Sequence, residues 1–145
     1  MFTVKNILDE KGCSIWTISP EAKIIDALKL MAEKSLGALV VTYKNQVVGI
    51  ISERDYARKV ILRGKSSLDT PVKEIMTTQV FFVTPDMSAE ECMALMTKKH
   101  IRHLPVIDEG KLTGLVSIGD VVKTVLSEQK ITIENLQNYI TGKYA

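Results

Sequence analysis

The chain contains the stretch Gly49-Ile50-Ile51-Ser52-Glu53-Arg54-Asp55 and, 65 residues later, the stretch Gly114-Leu115-Val116-Ser117-Ile118-Gly119-Asp120. The same shift places residues 17–60 on residues 82–125 without a gap. An internal repeat sets the architecture, because each copy is one supersecondary unit that needs its neighbour to bury a core. Two copies are too few for a solenoid. The repeat therefore predicts a pseudo-symmetric pair that carries equivalent surfaces twice.

The bulk composition is that of an ordinary globular domain. The chain has 145 residues, 46% of them hydrophobic, and a net charge of +2, which gives no electrostatic reason to expect nucleic acid or a membrane as partner. Cys13 and Cys92 have no metal-ligand spacing, and Cys92 lies on a predicted apolar helix stripe. The first residues do not resemble a signal or transit peptide, and no apolar run reaches the ~18 residues of a membrane span. We expect a reduced, soluble, cytoplasmic protein.

Each copy has the pattern β-α-β-β-α. A short β-rich run ending at proline comes first, then an amphipathic helix, then two strands around a tight turn, then a second helix directly after the serine. In the second copy the first helix begins with a capping box, Ser88-Ala89-Glu90-Glu91. The predicted fold class is α+β, with pseudo-twofold repeats at 1–70 and 71–145. Predicted elements are the strands 15–18, 39–43, 47–52, 80–83, 104–108 and 112–117, a helical return at 72–76, and a separate C-terminal amphipathic helix ending before Gly142.

The two quoted stretches resemble the Gly-x-x-Ser/Thr-x-x-Asp signature of cystathionine-β-synthase (CBS) domains, and Arg102-His103-Leu104-Pro105-Val106 resembles the phosphate-side strand of that family. The resemblance covers essentially the whole chain. It implies a stand-alone tandem pair, or Bateman module, that binds adenosine compounds in two clefts between its repeats and dimerises as a flat disc. Plant organellar pairs of this kind are reported to act on thioredoxins, so the resemblance also implies a possible redox-system client.

The residues of the signature suit a ribose. Ser52 and Asp55, like Ser117 and Asp120, are three apart at a strand-to-helix junction and project from one helical turn. A carboxylate accepts several hydrogen bonds, and a ribose offers two vicinal hydroxyls. The helix N-terminus adds free amides that suit a phosphate. The alternative is that serine and aspartate only cap the helix, as both residue types commonly do.

Three basic residues are the predicted phosphate ligands. Arg102 offers a planar fork that matches phosphate oxygens, and His103 adds a donor. By family analogy, Arg54 reaches the phosphate held near Asp120. The alternatives are a solvated Arg102, a half-buried His103 bonded to backbone, and an Arg54 paired on the surface. His100 and His103 are three apart, but a third ligand for a metal is missing from the sequence pattern.

The two copies differ at the phosphate positions. Gly37-Ala38 stands opposite Arg102-His103, and Gly119 stands opposite Arg54. We therefore expect unequal clefts, with Asp55, Arg102 and His103 in the stronger site. The adenine is expected between apolar strand residues, for each of which ordinary core is the alternative. The predicted adenine residues are Ile18, Ile50 and Val106 on one side, and Val83, Leu115 and Val41 on the other.

The sequence thus predicts a non-catalytic regulatory module and homodimer that senses an adenosine ligand. AMP is the first choice, and ADP, ATP, NAD(H) and S-adenosylmethionine are the others. The output would be a change in dimer shape or in affinity for a client protein. An enzyme is disfavoured because the motifs of nucleophilic, metal or P-loop catalysis are missing from the sequence. The other alternative is a protein-interaction module with non-functional pockets.

Overall fold

The computed structural model describes residues 1–12 and 14–142, and Cys13 lies outside the described residues. The chain forms two compact units. The continuous unit is Ser14–Phe81, and the interleaved unit combines Met1–Cys13 with Phe82–Ala145. The predicted α+β class is confirmed. The division into repeats at residue 70 stays a prediction about sequence boundaries, whereas the compact units assign residues 1–13 and 71–81 differently.

The continuous unit has a three-stranded sheet with strand order β1 (Thr17–Ile18), β2 (Ala38–Tyr43), β3 (Gln46–Ser52). β1 pairs parallel with β2, and β2 pairs antiparallel with β3. A core of apolar side chains lies in this unit. They come from the helix Ile24–Lys34, from β2 and β3, and from Val60, Val72 and Ile75. Its elements are β1 (Thr17–Ile18), α2 (Ile24–Lys34), β2 (Ala38–Tyr43), β3 (Gln46–Ser52), α3 (Glu53–Asp55), a π-helical turn (Tyr56–Ile61) and a 3₁₀ turn (Val72–Glu74).

The interleaved unit repeats the hairpin. Strand β4 (His103–Asp108) pairs antiparallel with β5 (Lys111–Ser117). The β4–β5 register shifts between Val106 and Ile107, just as the β2–β3 register shifts between Val41 and Thr42. Both hairpins turn through two residues of positive φ, Lys44 with Asn45 and Glu109 with Gly110, the backbone that a two-residue hairpin requires. The elements are α1 (Val4–Lys11), α4 (Ala89–Lys99), β4 (His103–Asp108), β5 (Lys111–Ser117) and α5 (Ile118–Thr141).

Two predicted elements are wrong. The strand predicted at 80–83 is reduced to one parallel bridge between Val83 and Val106. Thr77 exchanges backbone hydrogen bonds with Ile50 in the continuous unit, whereas Val83 belongs to the interleaved unit. Residues 78–82 form the connection between them. The separate C-terminal helix is instead the second half of α5, because neither glycine nor proline interrupts the chain between Gly119 and Gly142.

The segments before the two repeats have exchanged units. The amides of Val4 and Lys5 donate to the carbonyls of Met87 and Pro85, while those of Val72 and Lys73 donate to the repeat-equivalent Ala22 and Pro20. The sequence signal is the similarity of Val4-Lys5-Asn6-Ile7-Leu8 to Val72-Lys73-Glu74-Ile75-Met76. The start of α1 therefore makes the same backbone hydrogen bonds to the second repeat that residues 72 and 73 make to the first.

Candidate functional site

Both signature motifs lie at the place where a strand becomes a helix. β3 ends at Ser52 and α3 follows; β5 ends at Ser117 and α5 follows. Each serine has extended backbone, as an N-cap residue should, with φ of −127° at Ser52 and −96° at Ser117. We call residues 52–55 the first junction and residues 117–120 the second junction.

The first junction is a closed network around Asp55. The hydroxyl of Ser52 accepts from the Asp55 amide at 3.2 Å, and Asp55 Oδ2 accepts from the Ser52 amide and hydroxyl, both at 3.0 Å. Asp55 Oδ1 accepts from Thr77 Oγ1 at 3.3 Å and is 3.1 Å from Lys59 Nζ. A carboxylate has about four acceptor sites. All of those of Asp55 are therefore engaged.

The second junction has the same capping box but a more open carboxylate. Ser117 Oγ accepts from the Asp120 amide at 3.2 Å. Asp120 Oδ2 accepts from the Ser117 amide at 2.9 Å and from Lys11 Nζ at 2.7 Å. The Asp120 side chain is 24% exposed, against 13% for the Asp55 side chain. This carboxylate is thus the more accessible of the two to a ligand.

The charge state of Asp120 follows from two opposed effects. Burial disfavours the carboxylate and raises its pKa, but the hydrogen bond from Lys11, the Ser117 amide and the Lys11 charge together outweigh burial, so the pKa of Asp120 is lowered. Asp120 is consequently ionised at neutral pH. An ionised carboxylate is the form that accepts hydrogen bonds from two hydroxyl groups.

The strand beside each junction is held in the same way in both repeats. The Glu53 amide donates to the Gly37 carbonyl at 3.0 Å, and the Ile118 amide donates to the Arg102 carbonyl at 2.8 Å. His103 lies opposite Ser117 in the β4–β5 register. The structure therefore brings Arg102 and His103 to the second junction. Their predicted cooperation with Asp55 stays a prediction.

The predicted phosphate ligands differ in exposure. Arg102 and Arg54 are exposed, and His103 is half-buried. His100 is the left-handed C-cap of α4, with φ of 56°. Among the described residues, no group of three or more His, Cys, Asp and Glu side chains could hold a metal ion. Helices long and apolar enough to span a membrane are likewise absent from the described part of the chain.

The predicted adenine residues lie in the two sheets. Val41, Val83 and Val106 are buried, whereas Ile18, Ile50 and Leu115 are half-buried. Val41 belongs to the apolar core of the continuous unit. Core packing, the alternative reading from the sequence, accounts for the buried three. Adenine contact stays a prediction for all six.

Sequence reasoning missed three residues that touch the signature aspartates: Lys59, Thr77 and Lys11. Lys59 was readable, because a lysine four residues after an aspartate on a helix is a common ion pair. Thr77 and Lys11 follow the exchanged segments 72–76 and 4–8. The short similarity between those segments was the available signal for both.

Known proteins share the tandem repeat of this chain. A family model described as "CBS domain" matches residues 4–62 and again residues 72–127. The "CBS domain-containing protein CBSX3, mitochondrial" of Arabidopsis thaliana is 40% identical over 152 residues, covering 98% of this chain and 73% of that protein.

Solved structures agree. A protein with CBS domains from Burkholderia ambifaria MC40-6 has 52% identity and a TM-score of 0.84, covering 88% of this chain and 96% of that one. The structure of CBSX2 in complex with AMP has a TM-score of 0.69 and 24% identity over 88% of this chain and 98% of that one, a likeness of fold alone. Two matches of the family model, in register with the repeat and with both capped serine–aspartate junctions, lead to one conclusion: the chain belongs to the CBS-domain family and carries two CBS domains in tandem.

Proposed function

We propose that this protein is a regulatory module that binds an adenosine nucleotide, with AMP as the first candidate, through its two serine–aspartate junctions. The observation that carries the proposal is the ionised Asp120 carboxylate at the start of α5, whose side chain is more exposed than that of Asp55. The 2′- and 3′-hydroxyls of a ribose would donate to this group. The AMP complex of CBSX2 supports the proposal because that protein shares the fold.

The phosphate would be bound by guanidinium and imidazole groups. Arg102 and His103 stand beside the second junction, and Arg54 follows Ser52 on α3. A guanidinium donates two parallel hydrogen bonds to phosphate oxygens, which makes it the strongest of these ligands. The adenine would lie against the apolar strand residues. ADP, ATP, NAD(H) and S-adenosylmethionine carry the same adenosine and compete as ligands.

The test is calorimetric titration of the full chain with AMP. We expect Asp55→Ala and Asp120→Ala each to weaken one site by about 1–3 kcal/mol, the cost of leaving ribose hydroxyls without an acceptor. Asp108→Ala, at an exposed position at the end of β4, is the matched control and should leave both affinities unchanged. Unchanged affinity at both sites in the two junction variants would refute the ribose assignment.

The second candidate is a protein-interaction module whose pockets bind no nucleotide. The full engagement of Asp55 by Ser52, Thr77 and Lys59 favours it for the first junction. Equilibrium dialysis against a panel of adenosine compounds separates the two candidates. Binding of none of them at millimolar concentration favours the interaction module. Regulation of a thioredoxin-type client remains an alternative output, and we propose no catalytic activity.

We also propose that the module is a homodimer in the cytoplasm. Ile61 and Leu126 occupy equivalent positions 65 residues apart, and both are exposed. The second half of α5 adds exposed apolar residues, among them Ile133, Leu136 and Ile140. Surfaces of this kind commonly mark protein interfaces. Light scattering should give twice the chain mass, and a monomer at micromolar concentration would contradict the dimer.

A further inference from the structure

Each signature aspartate has a lysine ammonium beside it, but the two lysines come from unrelated places in the chain. In the continuous unit, Lys59 Nζ is 3.1 Å from Asp55 Oδ1 and donates to the Ile75 carbonyl at 3.0 Å. In the interleaved unit, Lys11 Nζ is 2.7 Å from Asp120 Oδ2 and donates to the Leu115 carbonyl at 2.9 Å. Each ammonium thus bridges a carboxylate and a backbone carbonyl.

The repeat itself does not explain this agreement. The residue equivalent to Lys59 in the second copy is Thr124, which cannot supply a cation. Lys11 lies before the aligned residues 17–60, at the end of α1. The second junction thus has the same arrangement as the first, with the ammonium supplied by a segment distant in sequence.

The ammonium has a physical role at a nucleotide site. A nucleotide phosphate is an anion, and an unneutralised Asp120 carboxylate would repel it. Lys11 offsets that charge. It also fixes Asp120 Oδ2 and so orients the carboxylate that a ribose hydroxyl would meet. An ammonium has three protons, of which the Asp120 and Leu115 oxygens take two, so the third can donate to a hydroxyl oxygen.

We propose that Lys11 is a positioning residue of the second nucleotide site, and that it couples occupancy of that site to the docking of the N-terminal helix α1. The proposal rests on the proposed function and adds its regulation. A ligand that binds better when Lys11 is in place must in turn hold α1 in place, because coupling between two equilibria is reciprocal. α1 is thereby the element through which the second site reports its occupancy.

Calorimetric titration of the full chain with AMP tests the positioning role. Lys11→Met keeps the aliphatic stem and removes the ammonium, and we expect about tenfold weaker binding at one site, the effect of losing a charge-assisted hydrogen bond. Lys11→Arg keeps a cation at this position and should retain most of the wild-type affinity. Lys5→Met, an exposed lysine of the same helix, is the matched control and should bind as the wild type does.

A double-mutant cycle separates a direct role from a general loss of packing. Asp120→Asn removes the charge to which Lys11 is paired, so Lys11→Met should cost little further affinity in that background. Fully additive losses would overturn the proposal. If Lys11→Met does not fold, Lys11→Gln, which is polar but carries no charge, replaces it in the cycle with the same expectation.

Hydrogen exchange tests the coupling. AMP should slow the exchange of the α1 amides in the wild type and should not do so in Lys11→Met. AMP binding with equal protection of α1 in both proteins overturns the coupling and leaves the proposed function intact. A wild type that binds no AMP refutes the proposed function, and this inference with it.

Discussion

The first and second junctions have one local design and two different surroundings. In both, a serine is the N-cap and its amide donates to the aspartate carboxylate three residues later. In both, the first amide of the helix donates to the carbonyl of the residue before the neighbouring strand. Around Asp55 the acceptors are filled from within the continuous unit by Thr77 and Lys59. The Asp120 side chain is more exposed, and its cation comes from α1. The repeat therefore determines the capped turn, whereas the surrounding residues determine how available the carboxylate is.

The largest expected effect concerns the glycine that opens each signature. A Cβ at Gly49 would stand 2.7 Å from Met76 Sδ and 2.9 Å from the Thr77 carbonyl oxygen. The three atoms nearest to a Cβ at Gly114 would all belong to the Leu8 side chain, the nearest at 2.6 Å. A side chain can move more easily than a backbone carbonyl. We expect Gly49→Ala to lower the free energy of unfolding by about 3 kcal/mol and Gly114→Ala by about 1 kcal/mol.

Urea unfolding measures the difference. Gly119→Ala is the matched control, because the nearest atom to its Cβ would be Ser117 Oγ at an ordinary 3.7 Å. It lies in α5, where alanine has the higher helix propensity, so its stability should be unchanged or higher. Equal losses at Gly49 and Gly114 would show that the two exchanged segments are equally adaptable.

The next effect concerns Arg102, for which the first repeat has Gly37 at the equivalent position. Arg102→Ala should weaken AMP binding by about 2 kcal/mol, since a charge-assisted contact to phosphate is lost, and should leave adenosine binding unchanged. Calorimetry with both ligands gives the comparison. Lys111→Ala, an exposed cation at the far end of the hairpin, is the control. Equal losses of affinity for AMP and for adenosine would show that Arg102 does not contact the phosphate.

A smaller effect should be common to both junctions. Ser52→Ala and Ser117→Ala each remove an N-cap hydroxyl that accepts from the aspartate amide, and each should cost about 1 kcal/mol of unfolding free energy. Ser127→Ala is the control, since that hydroxyl is exposed and bonds only to the carbonyl four residues earlier. A loss confined to one junction would show that the shared geometry is not of shared importance.

The last effect is absent at neutral pH and compares Cys92 with its repeat equivalent, Ala27, both of which are buried. Burial and then the Glu91 charge raise the pKa of the Cys92 thiol from 9.0 to about 11. The unfolded thiol therefore loses its proton first. The stability of the wild type relative to Cys92→Ala should be constant below pH 9 and should fall between pH 9 and pH 11. A constant difference across that range, measured by urea unfolding, would contradict the raised pKa.

Much of the fold could be predicted because its signals are local. The hairpins, the capping box at Ser88 and the serine–aspartate junctions depend on residues within a few positions of one another. The reduction of the predicted strand to a bridge at Val83 was harder to predict, because it depends on how the chain connects the two units. The continuity of α5 was also harder to predict, because it depends on where the first helix-breaking residue occurs. The sequence pointed to the aspartates of the candidate site, whose ligand role stays a prediction, but it did not point to their partners Lys11 and Thr77, which come from distant segments.

The order of the amino acids was enough to establish the repeat, the α+β class and the capped junctions, because periodicity, turn residues and capping act over a single turn or strand. Which segment completes each unit, and which charges meet, became apparent from the folded chain. Those contacts join residues far apart along the chain, such as Lys11 and Asp120, and an ion pair needs the two groups close in space whatever their separation in sequence.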